Sequence, residues 1–194
     1  MSNLMPVGEA LDRSSCVLLI VDIQEKLAAA MEPELLNGVV KNTLILLEAA
    51  RRMGIPVVVS EQYPKGLGAT IPELRTALDD IDDLTRIEKQ HFSVCGAESF
   101  AACAEALAAR KQWLVVGMET HICVYQSVRA LVASGASVHV PVDAVMSRAK
   151  HNYRVGLGLS EKCGAVLTST ETVVMDLLVC AKGDDFKAIS KMIR

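Results

Sequence analysis

This 194-residue chain is poor in aromatics: one Trp, three Tyr and three Phe, 4% of residues. So few rings exclude a base-stacking platform for single-stranded nucleic acid. Basic charge is also scarce, since 20 Lys and Arg against 23 Asp and Glu leave a net −3. That balance excludes a clustered phosphate-binding footprint. The six cysteines (Cys16, Cys95, Cys103, Cys123, Cys163, Cys180) form no CxxC, and no Cys/His cluster has zinc spacing. Near the N-terminus no basic segment precedes an apolar stretch and cleavage site, so no signal peptide is expected. The longest apolar run there, Cys16–Val21, is far too short to span a bilayer. These features predict a cytoplasmic protein with reduced thiols, most of them small core filler.

What is abundant is aliphatic: 51% of residues are apolar and 22% charged, enough for a sizeable core of Leu, Val, Ile, Ala and Met. A single domain over 1–194 is expected, with residues 1–14 as a loose arm. Cys16–Asp22, CVLLIVD, is an apolar run closing on an acid, the pattern of a parallel strand buried on both faces. Pro33 to about Met53 carries a wide apolar helical stripe that Gly54 stops. Further strands are predicted at Val57–Ser60, Thr85–Glu88, Gln112–Val116, Val138–Val142 and Ala165–Thr168. Helices are predicted at Pro72–Leu78, Ser99–Arg110, Thr120–Ser134, Asn152–Lys162, Glu171–Ala181 and Asp185–Ile193. Glu61–Ala69, EQYPKGLGA, reads as a loop by its Pro and two Gly. Strands and helices thus alternate about six times, which predicts an α/β fold with a mostly parallel sheet covered on both faces. In such sheets the site lies beyond the carboxyl ends of the strands.

Three reactive side chains fall at that edge: Asp22 after the first strand, Lys89 after the third, Cys123 just past the fourth. Alone, such an Asp is more often a turn residue, such a Lys solvated and such a Cys core. Together they suit thiol chemistry. A carboxylate can take the thiol proton, and an ammonium stabilises both anions. The stretch VVGMETHICVYQSVRAL, Val115–Leu131, reads as a strand broken at Gly117 and re-formed as a helix with Thr120 as N-cap and Cys123 in its first turn. The helix dipole there would favour thiolate, and unpaired N–H groups could bind an oxyanion.

DIQ at Asp22–Gln24, EK at Glu88–Lys89 and GMETHICV at Gly117–Val124 resemble the three motifs of the isochorismatase-like cysteine hydrolases, which include nicotinamidases. The likeness runs from about Cys16 to the C-terminus. EQYPKGLG, EKQHFS, PVDAVMSR and TSTETVVMDLL are most similar to the isochorismatase domain-containing branch. The resemblance implies a Rossmann-like three-layer sandwich with a six-stranded parallel sheet. It implies Asp22 as general base, Lys89 as charge-stabilising partner and Cys123 as nucleophile. It further implies a cis peptide at Met118–Glu119 and an oxyanion hole from the Glu119 and Cys123 amides, and a homo-oligomer. Two departures narrow it. The segment SEQYPKGLG lacks the His residues of the nicotinamidase metal site, so no metal or other cofactor is expected. A nucleophilic thiol also argues against vinyl-ether cleavage.

Gln24, Gln62, Tyr63 and His91 are candidates for substrate contact, with loop packing as the alternative. Phe92 could wall the pocket or sit in the core. His121 lies two residues before Cys123, on a different helical face, so it is expected to cap or pack rather than act as base. GLGLS at Gly156–Ser160 sits in a helical pattern and is no nucleotide loop. The expected activity is hydrolysis of a small carbonyl compound at a C–N bond through a thioester, with a small-molecule substrate and no nucleic-acid or membrane partner. A silent scaffold or a thiol redox sensor on the same fold are the alternatives.

Overall fold

The computed structural model describes residues 10–193. Among the described residues seven strands form one parallel sheet: β1 (Cys16–Val21), β2 (Val57–Gln62), β3 (Leu84–Lys89), β4 (Gln112–Met118), β5 (Ser137–Pro141), β6 (Val145–Met146) and β7 (Val166–Thr168). Six run side by side in the order β3-β2-β1-β4-β5-β7, and the two-residue β6 pairs with the end of β4. Six strands are the number expected, and β6 is the addition. Two residues are too few to leave a periodic signal.

Nine helices surround the sheet among the described residues: α1 (Glu25–Ala28), α2 (Pro33–Met53), α3 (Pro64–Leu67), α4 (Pro72–Leu78), α5 (Phe100–Ala106), α6 (Tyr125–Ala133), α7 (Lys150–Lys162), α8 (Thr170–Leu178) and α9 (Gly183–Ile193). β1 is buried at all six positions, and its alternating side chains divide the core. Leu18 and Ile20 join the layer of α2, α4, α8 and α9. Val17, Leu19 and Val21 join that of α5 and α6. Both faces of one apolar strand are therefore consumed, as in a doubly covered parallel sheet.

Local chemistry sets the ends of α2. Glu32 accepts from the Glu34 and Leu35 amides, Pro33 opens the first turn, and Gly54 closes the helix at φ 64°. Residues 1–9 of the expected arm lie outside the described residues. The remainder is docked rather than loose: Leu11 is buried and its amide donates to Asp176 Oδ2 at 2.8 Å, while that of Asp12 donates to Gln112 Oε1 at 2.8 Å. No helix of the described residues is long and apolar enough to cross a membrane.

From β1 the chain winds outward through β2 and β3, then returns to place β4 on the other side of β1. Beyond the carboxyl ends of β1 and β4 is the switch point at which doubly wound sheets open a crevice.

Candidate active site

β1 ends at Val21, level with Ser60 on one side and Gly117 on the other. Asp22 follows at φ 51°, a left-handed turn that takes its side chain out of the strand pattern. Its carboxylate is completely buried, accepting from Lys89 Nζ at 2.6 Å through Oδ2 and from Ser60 Oγ at 2.7 Å through Oδ1. Lys89, at the end of β3, therefore reaches across β2 to β1. The Cys123 thiol completes the cluster, close enough that the charges of Asp22 and Lys89 both act on it. Three side chains from distant parts of the sequence thus meet where the strand-end pattern put them. Ser60 joins them, and its place at the end of the second predicted strand was the available signal.

The turn carrying Cys123 differs from expectation. β4 runs through Gly117 to Met118 and turns only at Glu119, and the Met118–Glu119 peptide is cis. Thr120–Val124 then forms a single π-helical turn, and the α-helix begins at Tyr125. Thr120 does not cap: its Oγ1 is buried without a hydrogen-bond partner. The wider turn has a packing partner. A Cβ at Gly156 of α7 would collide with the backbone of Thr120 and His121, so α7 presses on the turn main chain to main chain. Gly117 is equally constrained, at φ 118° with its Cα facing the Val21 carbonyl.

Electrostatics also correct the expected helix-dipole effect. Burial pushes the Cys123 thiol up to about 12, the Asp22 charge adds to the rise, and Lys89 opposes it. Burial likewise raises the Asp22 carboxyl, against Lys89, Ser60 and Cys123. The cause is shared. Two anions beside one cation would leave a net buried charge, so the cluster retains one proton between thiol and carboxylate. Cys123 keeps 6% of its surface exposed.

The four pocket-wall candidates separate. Gln24 is completely buried, with Oε1 accepting from the Gln62 amide at 2.8 Å and Nε2 donating to the carbonyls of Gln62 at 3.0 Å and Gly68 at 2.6 Å. It fastens the loop after β2. Gln62 spends its side chain on Lys89 Nζ (2.8 Å) and the Gln90 carbonyl (2.8 Å). Tyr63 and His91 are exposed, and Phe92 is exposed rather than core. A cleft of about 470 Å³ lies beside the cluster, lined by Pro64, Glu88, Lys89, His91 and Glu98 among others. Asp22 and Cys123 do not line it.

His121 bonds Ser147 Oγ through Nδ1 at 3.0 Å, the packing role expected of it. The Glu119 carboxylate accepts from the Arg148 amide at 2.9 Å and its Nε at 3.2 Å. Serine and arginine in a segment without a periodic pattern gave no advance sign of this strap. Among the described residues no group of three or more His, Cys, Asp or Glu side chains is arranged to hold a metal.

Comparison with known proteins places these motifs. Residues 16–172 match the isochorismatase domain. The chain is 34% identical over 195 residues to isochorismatase domain-containing protein 2 of Xenopus laevis, covering all of this chain and 90% of that one. It is also 34% identical over 188 residues to the secreted isochorismatase effector Isc1 of Phytophthora sojae, covering 97% and 88%. Among solved structures, the MAR1 ribonuclease of Caenorhabditis elegans superposes with a TM-score of 0.87 at 32% identity, covering 95% and 92%.

Proposed function

The chain belongs to the isochorismatase family, and from that premise we propose that it hydrolyses a C–N bond of a small carbonyl compound through a thioester on Cys123. The observation that carries this is the buried Lys89–Asp22 pair at 2.6 Å with the Cys123 thiol beside it. Asp22 takes the thiol proton as Sγ attacks the carbonyl carbon, so negative charge moves from carboxylate to sulfur to substrate oxygen. Lys89 stays within reach of every anion along that path. The backbone amides of Glu119 and Cys123 receive the oxyanion. When the tetrahedral species collapses, the C–N bond breaks and the proton on Asp22 goes to the departing amine. Water then attacks the thioester with Asp22 again as base, releasing the acid and restoring the thiol.

The high Cys123 value fits this scheme better than a redox sensor, which needs an accessible thiol of low pKa. The same reading takes the chain as one domain acting in the cytoplasm on a small molecule, with neither nucleic acid nor membrane as partner. Incubation with labelled RNA should leave it uncut, and cell fractionation should place the protein with cytosolic markers. Ala101, Ala102 and Ala106 of α5 are exposed, and a homo-oligomer would cover such a face. Sedimentation showing only a species near 20.9 kDa would overturn that part. The decisive test is a panel of amides and ureas offered to wild type and Cys123→Ala. Turnover should vanish in the variant, and intact-mass spectrometry of quenched wild type should show an acyl adduct on Cys123. Equal turnover by both proteins would refute the mechanism.

A further inference from the structure

We infer that Gln62 is a positioning residue for Lys89, a neutral acceptor that fixes the ammonium between Asp22 and Cys123 and keeps the buried cluster at zero net charge. This rests on the hydrolase reading above and deepens it. An ammonium has three N–H donors in a tetrahedral arrangement. Asp22 Oδ2 takes one at 2.6 Å, Gln62 Oε1 takes the second at 2.8 Å, and Cys123 is near enough for the ammonium charge to act on it. With two donors fixed, the direction of the third is set.

Gln62 is itself fastened from three sides. Its Nε2 donates to the Gln90 carbonyl at 2.8 Å, one residue past Lys89, which fixes the carboxamide with its oxygen toward the ammonium. Its amide donates to Gln24 Oε1 at 2.8 Å, and its carbonyl accepts from Gln24 Nε2 at 3.0 Å. The next residue is held too, since the Tyr63 amide donates to the Lys89 carbonyl at 2.9 Å. Gln24, two positions from Asp22, thereby clamps the backbone that carries Gln62. The chain of contacts closes a ring from Asp22 through Lys89, Gln62 and Gln24 back to the β1 end.

The choice of amide has an electrostatic consequence. The groups facing Asp22 are Lys89 from β3, Ser60 from β2 and Cys123 from the π turn. One carboxylate balances one ammonium. A second carboxylate at position 62 would leave an uncompensated negative charge in the cluster, raise the Asp22 carboxyl further and hinder it as a base at neutral pH.

Iodoacetamide alkylation of Cys123, followed by peptide mass spectrometry from acid to pH 9, tests this. In wild type the proton passes to Asp22 within the cluster. The rate should therefore plateau through neutral pH and fall on the acid side as Asp22 protonates. Gln62→Glu should move the acid limb up by about one pH unit or more. Gln62→Met, which removes the acceptor without adding charge, should lower the plateau roughly tenfold, in line with a lost hydrogen bond to a charged group, and leave the limb unshifted. Thermal melts confirm that each variant is folded. If both variants lower the rate alike with the acid limb unmoved, or if Gln62→Met matches wild type, the positioning role is refuted. If wild-type Cys123 shows no plateau and labels no faster than Cys163, the hydrolase reading falls instead.

Discussion

Removing the Lys89 ammonium should destabilise the fold in a pH-dependent way. Both side chains of the Lys89–Asp22 pair are fully buried. Lys89→Met keeps the stem and deletes the charge, leaving the Asp22 carboxylate with Ser60 Oγ as its remaining strong donor. Breaking a buried pair from one side typically costs about 3–5 kcal/mol. With a urea slope of roughly 2 kcal/mol/M, a loss of 4 lowers the unfolding midpoint by about 2 M. The sign of the pH dependence follows from Asp22. Its folded-state carboxyl is already raised above 3.8, and loss of the cation raises it further. The folded protein then binds that proton more tightly than the unfolded chain. The penalty is therefore smallest at acid pH and grows as pH rises through the new folded-state value. Adding Asp22→Asn removes the orphaned charge, and Asn tolerates the left-handed backbone there. The double variant should regain most of the stability at pH 7. Urea titrations at several pH values measure all of this. A single variant within about 1 kcal/mol of wild type at pH 7, with the same pH profile, would refute the picture of a buried charged pair.

Gly117→Ala should cost roughly 2–5 kcal/mol, combining backbone strain with overpacking, because the new methyl meets the Val21 carbonyl; an unchanged urea midpoint would contradict that contact. Val179→Gly should stabilise by about 1 kcal/mol and raise Tm by about 2–4 °C, since a β-branched residue at φ 62° and 86% exposed has strain and little packing to lose. A lower Tm would count against this. Burial holds the His139 imidazole below 6.5, so the folded state resists a proton that the unfolded chain accepts, and stability should fall as pH drops below 6.5. His139→Gln should flatten that acid loss, and an equally steep profile would rule His139 out as its source.

The strand ends were legible because parallel strands buried on both faces read as unbroken apolar runs, so the first reactive residue after each run marks the sheet edge. CVLLIVD announced Asp22 in that way, whereas the third strand, LTRIEK, is a polar edge strand without such a run, and Lys89 was legible only by its place at the end of that short segment and by the EK motif. The π turn was not legible. Residues Thr120–Val124 have nothing in their composition that separates one extra residue per turn from an ordinary helix start, and the deciding contact comes from Gly156 on a distant helix. Gln24 and Gln62 show a second limit. Their polarity near the site suggested ligand contact, whereas their partners are backbone groups and an ammonium that only the folded loop brings within reach. The expected thiolate failed for a similar reason: a helix terminus is visible in sequence, and the depth at which it is buried is not.

The lateral order of the strands also makes the cluster a clock for assembly. Lys89 and Asp22 are 67 residues apart and sit on strands that are not neighbours, with β2 between them. Cys123 arrives from the opposite flank of β1. The three can meet only when β1 is paired on both sides, so a refolding chain must join its two halves before this thiol acquires its charged neighbours. Pulse alkylation during refolding would then date the closing of the sheet's centre, separately from the formation of either wing.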